Sequence, residues 1–193
     1  MEVNAKELII VAGPNGAGKS TLAEKLASER SALFLAADKI ATELSPDDPA
    51  AARIAAASEF VTQFKSQLGH VDILVVESTL SGRTFPRHIQ DAREQGYVIT
   101  IVFIFLDSED VCVDRVAERV SKGGHFVPES DIRRRFHRAI DNFWNMYRPL
   151  ADHWLLTYNS GRVPVDVALG TADTISVRDS ERFALFQTLL GSG

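Results

Sequence analysis

Cysteine is all but absent from this sequence: Cys112 stands alone among 193 residues. That excludes an internal disulfide and any cysteine-cluster metal site. The five histidines, His70, His88, His125, His137 and His153, fall in no metal-ligand spacing. No apolar run approaches the roughly 20 residues needed to span a bilayer. Seven residues precede the apolar run that begins at Leu8, and they include Glu2, Lys6 and Glu7. A signal peptide has no room there, and the expectation is a cytoplasmic protein without a membrane segment. Internal repeats and low-complexity tracts are also missing. So is an excess of positive charge, because 21 Lys and Arg face 26 Asp and Glu for a formal charge of −5. This argues against a dedicated nucleic-acid binder. What remains is an ordinary globular composition, 45% hydrophobic and 24% charged, long enough for one domain over residues 1–193 with a substantial core.

One stretch stands out. Gly13-Pro14-Asn15-Gly16-Ala17-Gly18-Lys19-Ser20 is a complete GxxxxGK[ST] phosphate loop, placed directly after Leu8-Ile9-Ile10-Val11-Ala12 and before the helix-like Thr21-Leu22-Ala23-Glu24-Lys25-Leu26-Ala27. The glycines let the backbone turn its N–H groups inward at the positive end of the helix dipole, where a triphosphate can lie. Lys19 can then reach the β- and γ-phosphates of ATP or GTP, and the Ser20 hydroxyl can ligate Mg²⁺.

Apolar runs at 8–12, 32–36, 71–76, 97–106 and 154–158 alternate with helix-like stretches near 19–29, 49–68, 84–95, 109–122, 129–147 and 180–190. Such alternation predicts βαβ units around a parallel sheet covered on both faces. An edge strand is expected around Val163 to Leu169. Ser108, followed by Glu109 and Asp110, suits a helix N-cap, and Pro128 suits a first-turn position. Gly123-Gly124 is expected to form a lid turn.

Ligands of open α/β sheets bind beyond the C-terminal strand ends, so acids there are candidates for chemistry. Asp38 follows the 32–36 run and can accept a proton from an attacking hydroxyl; it can equally cap a helix starting at Lys39. Glu77 follows the 71–76 run, with Ser78 and Thr79 as neutral donors beside it, and needs a partner if buried. Asp107 closes the longest run in the manner of a Walker B acid, or serves as a loop acid. Between Arg115 and Arg138, seven cations face three acids, a basic island suited to a polyanion. On the 129–147 helix, Ile132, Phe136, Ile140, Phe143 and Tyr147 form an apolar stripe, with Arg134 and Arg138 pointing most nearly away and Arg133 and Arg135 flanking. This ranks Arg119, Arg133 and Arg135 first as phosphate-facing groups. His125 sits in the lid turn, as a surface residue or a substrate contact.

These residues resemble the zeta toxin family of P-loop kinases, particularly its short members, a subgroup otherwise described as ABC-type ATPases or kinases. The resemblance runs from about Leu8 to Ser160. It rests on the phosphate loop through Thr21, on Ala37-Asp38-Lys39-Ile40-Ala41 and Glu77-Ser78-Thr79-Leu80-Ser81-Gly82, and on the Arg115–Arg119, Gly123–Glu129 and Arg134–Arg138 elements. It implies a three-layer α/β/α P-loop fold with about five parallel strands in the order 2-3-1-4-5 and a helical lid at about 115–138. The implied activity is phosphorylation of a hydroxyl on a UDP-amino sugar such as UDP-N-acetylglucosamine. In that reading Asp38 is the base, and Arg119 with Arg135 or Arg138 are the phosphate-facing cations. Glu77 and Thr79 belong to the acceptor site, as does His125, which stands where the longer toxins carry an arginine. In toxin–antitoxin pairs a small helical antitoxin covers the nucleotide site, so such a protein is the implied partner.

Three rival readings compete with this one. Leu80-Ser81-Gly82-Arg83 partly matches an ABC-type ATPase signature, but about sixty residues from Lys19 are too few for that class's helical subdomain. A second rival is a kinase of nucleic-acid ends or of another small hydroxyl compound; a polynucleotide would suit the basic island, yet no aromatics interleave the arginines. A non-catalytic nucleotide-binding module has little use for Asp38.

Overall fold

The computed structural model describes residues 6–191. Seven strands form one sheet: β1 (Glu7–Ala12), β2 (Leu33–Ala36), β3 (Ile73–Ser78), β4 (Val98–Phe105), β5 (His153–Tyr158), β6 (Val165–Gly170) and β7 (Ile175–Val177). Their order is β2-β3-β1-β4-β5-β6-β7. The first five are parallel in the order the resemblance implies, and β6 and β7 extend the β5 edge as antiparallel strands. The five parallel strands are those expected, and two antiparallel strands complete the sheet. The strand expected around Val163 to Leu169 is β6, but the edge position belongs to β7, whose three exposed residues carry no apolar run to announce it.

Seven α-helices connect and cover the strands: α1 (Lys19–Arg30), α2 (Ala37–Leu44), α3 (Arg53–Gln67), α4 (Phe85–Glu94), α5 (Glu109–Ser121), α6 (Glu129–Asn142) and α7 (Ser180–Leu189). Leu8, Ile10, Leu74 and Phe103 are wholly buried because helices lie on both faces of the sheet. The stripe predicted on α6 is the buried face: Ile132, Phe136, Ile140, Phe143 and Tyr147 are each at most 2% exposed. It outlasts the α-helix, since Phe143–Tyr147 continue as a π turn. Phe103 stacks on Phe143 with ring centroids 4.2 Å apart.

Caps explain several boundaries. The Ser108 hydroxyl accepts from the Val111 amide at the start of α5, as expected. At its end, the Gly123 amide donates to the Val120 carbonyl and Gly124 to Arg119, both at 2.9 Å, a Schellman termination with Gly123 at φ 86°. Pro128 is the N-cap residue of α6 rather than its first turn. Asp38 likewise does not cap α2: the helix begins one residue earlier and Asp38 lies within its first turn. Among the described residues no helix is long and apolar enough to cross a membrane.

Candidate active site

The strand register brings the phosphate loop and the two candidate acids to one level of the sheet. Val11 on β1 and Ala36 on β2 both pair with Glu77 on β3. The loop leaves β1 two residues after Val11, and Asp38 lies two residues after Ala36, so both flank the Glu77 side chain. Gly13 has φ 144°, and a Cβ there would stand 2.2 Å from the Ile104 carbonyl oxygen, so no other residue fits without moving β4. Lys19, only 6% exposed, donates from Nζ to the Pro14 carbonyl at 3.0 Å and lies 3.7 Å from a Glu77 carboxylate oxygen. Burial lowers the Lys19 pKa; Glu77 and Asp38 oppose that shift, and the charge of Arg119 adds to it. Asn15 Oδ1 is buried nearby and has no hydrogen-bond partner among the described residues.

A cavity of about 530 Å³ opens from Lys19 and Asn15 across Asp38 and Glu77 to the N-terminal half of α6. Thr79, Ser78 and Ser81 line one wall, Arg134, Arg135 and Arg138 another, and Phe60, Phe85 and His88 supply an apolar end. Burial holds the His88 imidazole below the usual histidine range. The segment after β3 is tightly fixed. Leu80, 1% exposed, has φ 51°, and its amide donates to the Ser78 hydroxyl at 3.1 Å. Asn142 Nδ2 donates to the Leu80 carbonyl at 2.9 Å, and the Tyr147 hydroxyl donates to the Gly82 carbonyl at 2.6 Å.

The arginines divide differently from the sequence ranking. Arg133, ranked high, binds Glu109, Asp110 and Glu129 on the α5 side and does not line the cavity. Arg134 and Arg138, ranked as pointing away, line it together with Arg135. An apolar stripe has two flanks, and its angle alone does not say which one meets α5 and which the cavity. Arg119 lies outside the cavity lining; one guanidinium nitrogen donates to the His125 carbonyl at 2.8 Å, and its buried Nε has no partner among the described residues. His125 is outside the lining as well, and what it offers Arg119 is its backbone carbonyl. Ser20 and Thr21 are exposed at the start of α1.

Further residues lie around the loop. Asn159 donates from Nδ2 to the Ala17 carbonyl at 2.9 Å, across 142 positions of sequence. Arg115 lies behind Gly16, its guanidinium 3.5 Å from the Gly16 carbonyl. Cys112 packs there too, and burial pushes its thiol up to about 12, so it is no nucleophile near neutral pH. Asp107 accepts from the Tyr158 hydroxyl at 3.2 Å and is not part of the cavity wall. Among the described residues no group of three or more His, Cys, Asp or Glu could hold a metal ion.

Comparison with known proteins bears on the fold. An uncharacterized protein of Haemophilus influenzae (strain ATCC 51907 / DSM 11121 / KW20 / Rd) is 28% identical over 134 residues, 69% of this chain and 95% of its own. A chain of the AvrRxo1-ORF1:-ORF2 complex with ATP superposes with a TM-score of 0.76 at 17% identity. The match covers all of this chain, which spans about two thirds of that one (67%). A chain of the PezAT chromosomal toxin–antitoxin system of Streptococcus pneumoniae gives 0.67 at 14% identity, covering 100% of this chain and 81% of that one. At such identities the likeness establishes a P-loop kinase-like fold. The sequence profile of the AAA domain family matches residues 8–139, from the first strand through the arginines of α6, and the chain belongs to that family.

Proposed function

We propose that the chain is a zeta-toxin-like P-loop kinase that transfers the γ-phosphoryl group of ATP or GTP to a hydroxyl of a small molecule, in first place a UDP-amino sugar such as UDP-N-acetylglucosamine. One observation carries this reading: Lys19, Asp38, Glu77 and Arg135 face a single 530 Å³ cavity, a size suited to a small-molecule ligand. The buried Lys19 ammonium at the cavity wall fits a phosphate-bearing ligand. Mg²⁺ keeps several waters and takes few protein ligands besides phosphate oxygens. Ser20 would be the protein's ligand to that ion, which neutralises phosphate charge when bound.

Residues 13–21 would hold the β- and γ-phosphates, with Lys19 pairing with them in place of the Pro14 carbonyl. The acceptor oxygen attacks the γ-phosphorus, the bond to the β,γ-bridging oxygen breaks, and the nucleoside diphosphate leaves. Asp38 takes the proton released by the acceptor hydroxyl. Arg119 and Arg135 would offset charge on the group in transit. Glu77, Thr79 and Arg138 would orient the acceptor; His125 enters this scheme through the carbonyl that holds Arg119. A small antitoxin over the nucleotide site is the protein partner that goes with this reading, and the PezAT structure is that of a toxin–antitoxin system.

The test is incubation with labelled ATP and a panel of UDP-sugars, nucleosides and oligonucleotides. We expect label on a UDP-sugar, and a loss of about 10²- to 10⁴-fold in Asp38→Asn with ATP binding nearly intact. Phosphate release with no labelled acceptor would instead support an ATPase, and full transfer in Asp38→Asn would remove Asp38 as base.

A further inference from the structure

Asp131, in the first turn of α6, binds three arginines at once. Its Oδ1 lies 2.7 Å from Arg134, and its Oδ2 lies 3.3 Å from Arg135 and 3.8 Å from Arg53 at the start of α3. All three arginines line the cavity, yet Asp131 itself does not. Arg138 lines it too and makes no ion pair or hydrogen bond among the described residues. The carboxylates facing the same space are Asp38 and Glu77, and Glu77 is engaged with Lys19. Four guanidinium groups in the acceptor half therefore share one carboxylate behind them and one across the cavity. Arg135 shows the imbalance: burial lowers its pKa and the nearby Arg53 charge lowers it further.

We propose that Arg53, Arg134 and Arg135 form an anion seat, that Asp131 is its resident counter-ion, and that the cavity's occupant brings a phosphate-class dianion which takes these arginines over from Asp131. Only the word acceptor for that occupant rests on the kinase reading. The exchange is physically open. Asp131 remains 23% exposed and can recover hydration when released, and its 3.8 Å contact to Arg53 is the loosest of the three. Planar guanidinium forks bind phosphate oxygens in pairs and gain more from a dianion than from one shared carboxylate. A neutral alcohol leaves the arginines with Asp131 and gains nothing from them, so the seat selects charged over neutral occupants.

The experiment measures pyrophosphate binding calorimetrically in protein whose phosphate loop is filled with Mg²⁺ and a non-hydrolysable ATP analogue. Asp131→Asn should bind pyrophosphate about threefold tighter than the natural protein. Arg53→Gln, on an exposed position, should bind it about fivefold or more weakly. Pyrophosphate affinity unchanged or weakened in Asp131→Asn overturns the counter-ion role. Unchanged affinity in Arg53→Gln overturns the seat, and it decides the matter alone if Asp131→Asn does not fold. Failure of the analogue to bind counts against the nucleotide reading only, because both substitutions then still act on pyrophosphate binding in its absence.

Discussion

Lys19 illustrates what a single buried charge can report. Its pKa is lowered chiefly by burial, whereas an ordinary lysine titrates near about 10.4. Phosphate binds the ammonium and not the amine, so affinity is full below the lowered pKa and falls as pH rises through it. Nucleotide affinity should therefore decline at a lower pH than an ordinary lysine would dictate, and Lys19→Arg should abolish that decline because arginine keeps its proton. A titration of ATP affinity against pH checks this. Identical profiles for the two proteins would show that Lys19 does not meet the phosphates. The phosphate loop was fully legible in sequence because its chemistry is contiguous. The support from Asn159, 142 positions from its partner, was not, since nothing local marks an asparagine whose target is a distant carbonyl.

At the scale of elements, long buried strands and the α6 stripe followed directly from apolar periodicity, while short elements escaped it. Helix α2 has only eight residues, and β7 three, all exposed. The helix expected from residue 49 begins at Arg53, because Pro49–Ala52 form a turn whose alanines carry no stop signal. Which flank of α6 meets the cavity depends on the neighbours of that helix: Glu109 and Asp110 claim Arg133, leaving Arg134, Arg135 and Arg138 to the other side. The π turn after α6 matters for the segment after β3, since it carries Tyr147 to the Gly82 carbonyl. Tyr147→Phe keeps the buried ring and removes that hydrogen bond, a loss of about 0.5–1.5 kcal/mol. The expected outcome is a raised acceptor KM with a nearly unchanged ATP KM; equal changes in both would mean that the hydroxyl braces the whole fold instead.

Across the whole molecule, the core extends past the region that matches the family profile, which ends at residue 139. Phe186 of α7 meets Phe103, Phe105 and Phe143 at centroid distances of 6.3, 5.2 and 6.2 Å and is wholly buried. Phe186→Ala should cost about 3–5 kcal/mol, a large share of the roughly 5–15 kcal/mol that holds a domain folded. Urea unfolding measures it, and a loss below about 1 kcal/mol would make α7 peripheral. The register that sets Val11, Ala36 and Glu77 side by side has a wider consequence. The phosphate loop is placed by main-chain pairing and by a glycine with no room for a side chain, whereas the opposite end of the cavity is shaped by Phe60, Phe85, His88 and the arginines. Ordinary point substitutions can thus remodel one end while the other tolerates almost none. Descendants of this scaffold are free to diverge in what they recognise at the far end, and bound to their common ancestor in what they hold at the near one.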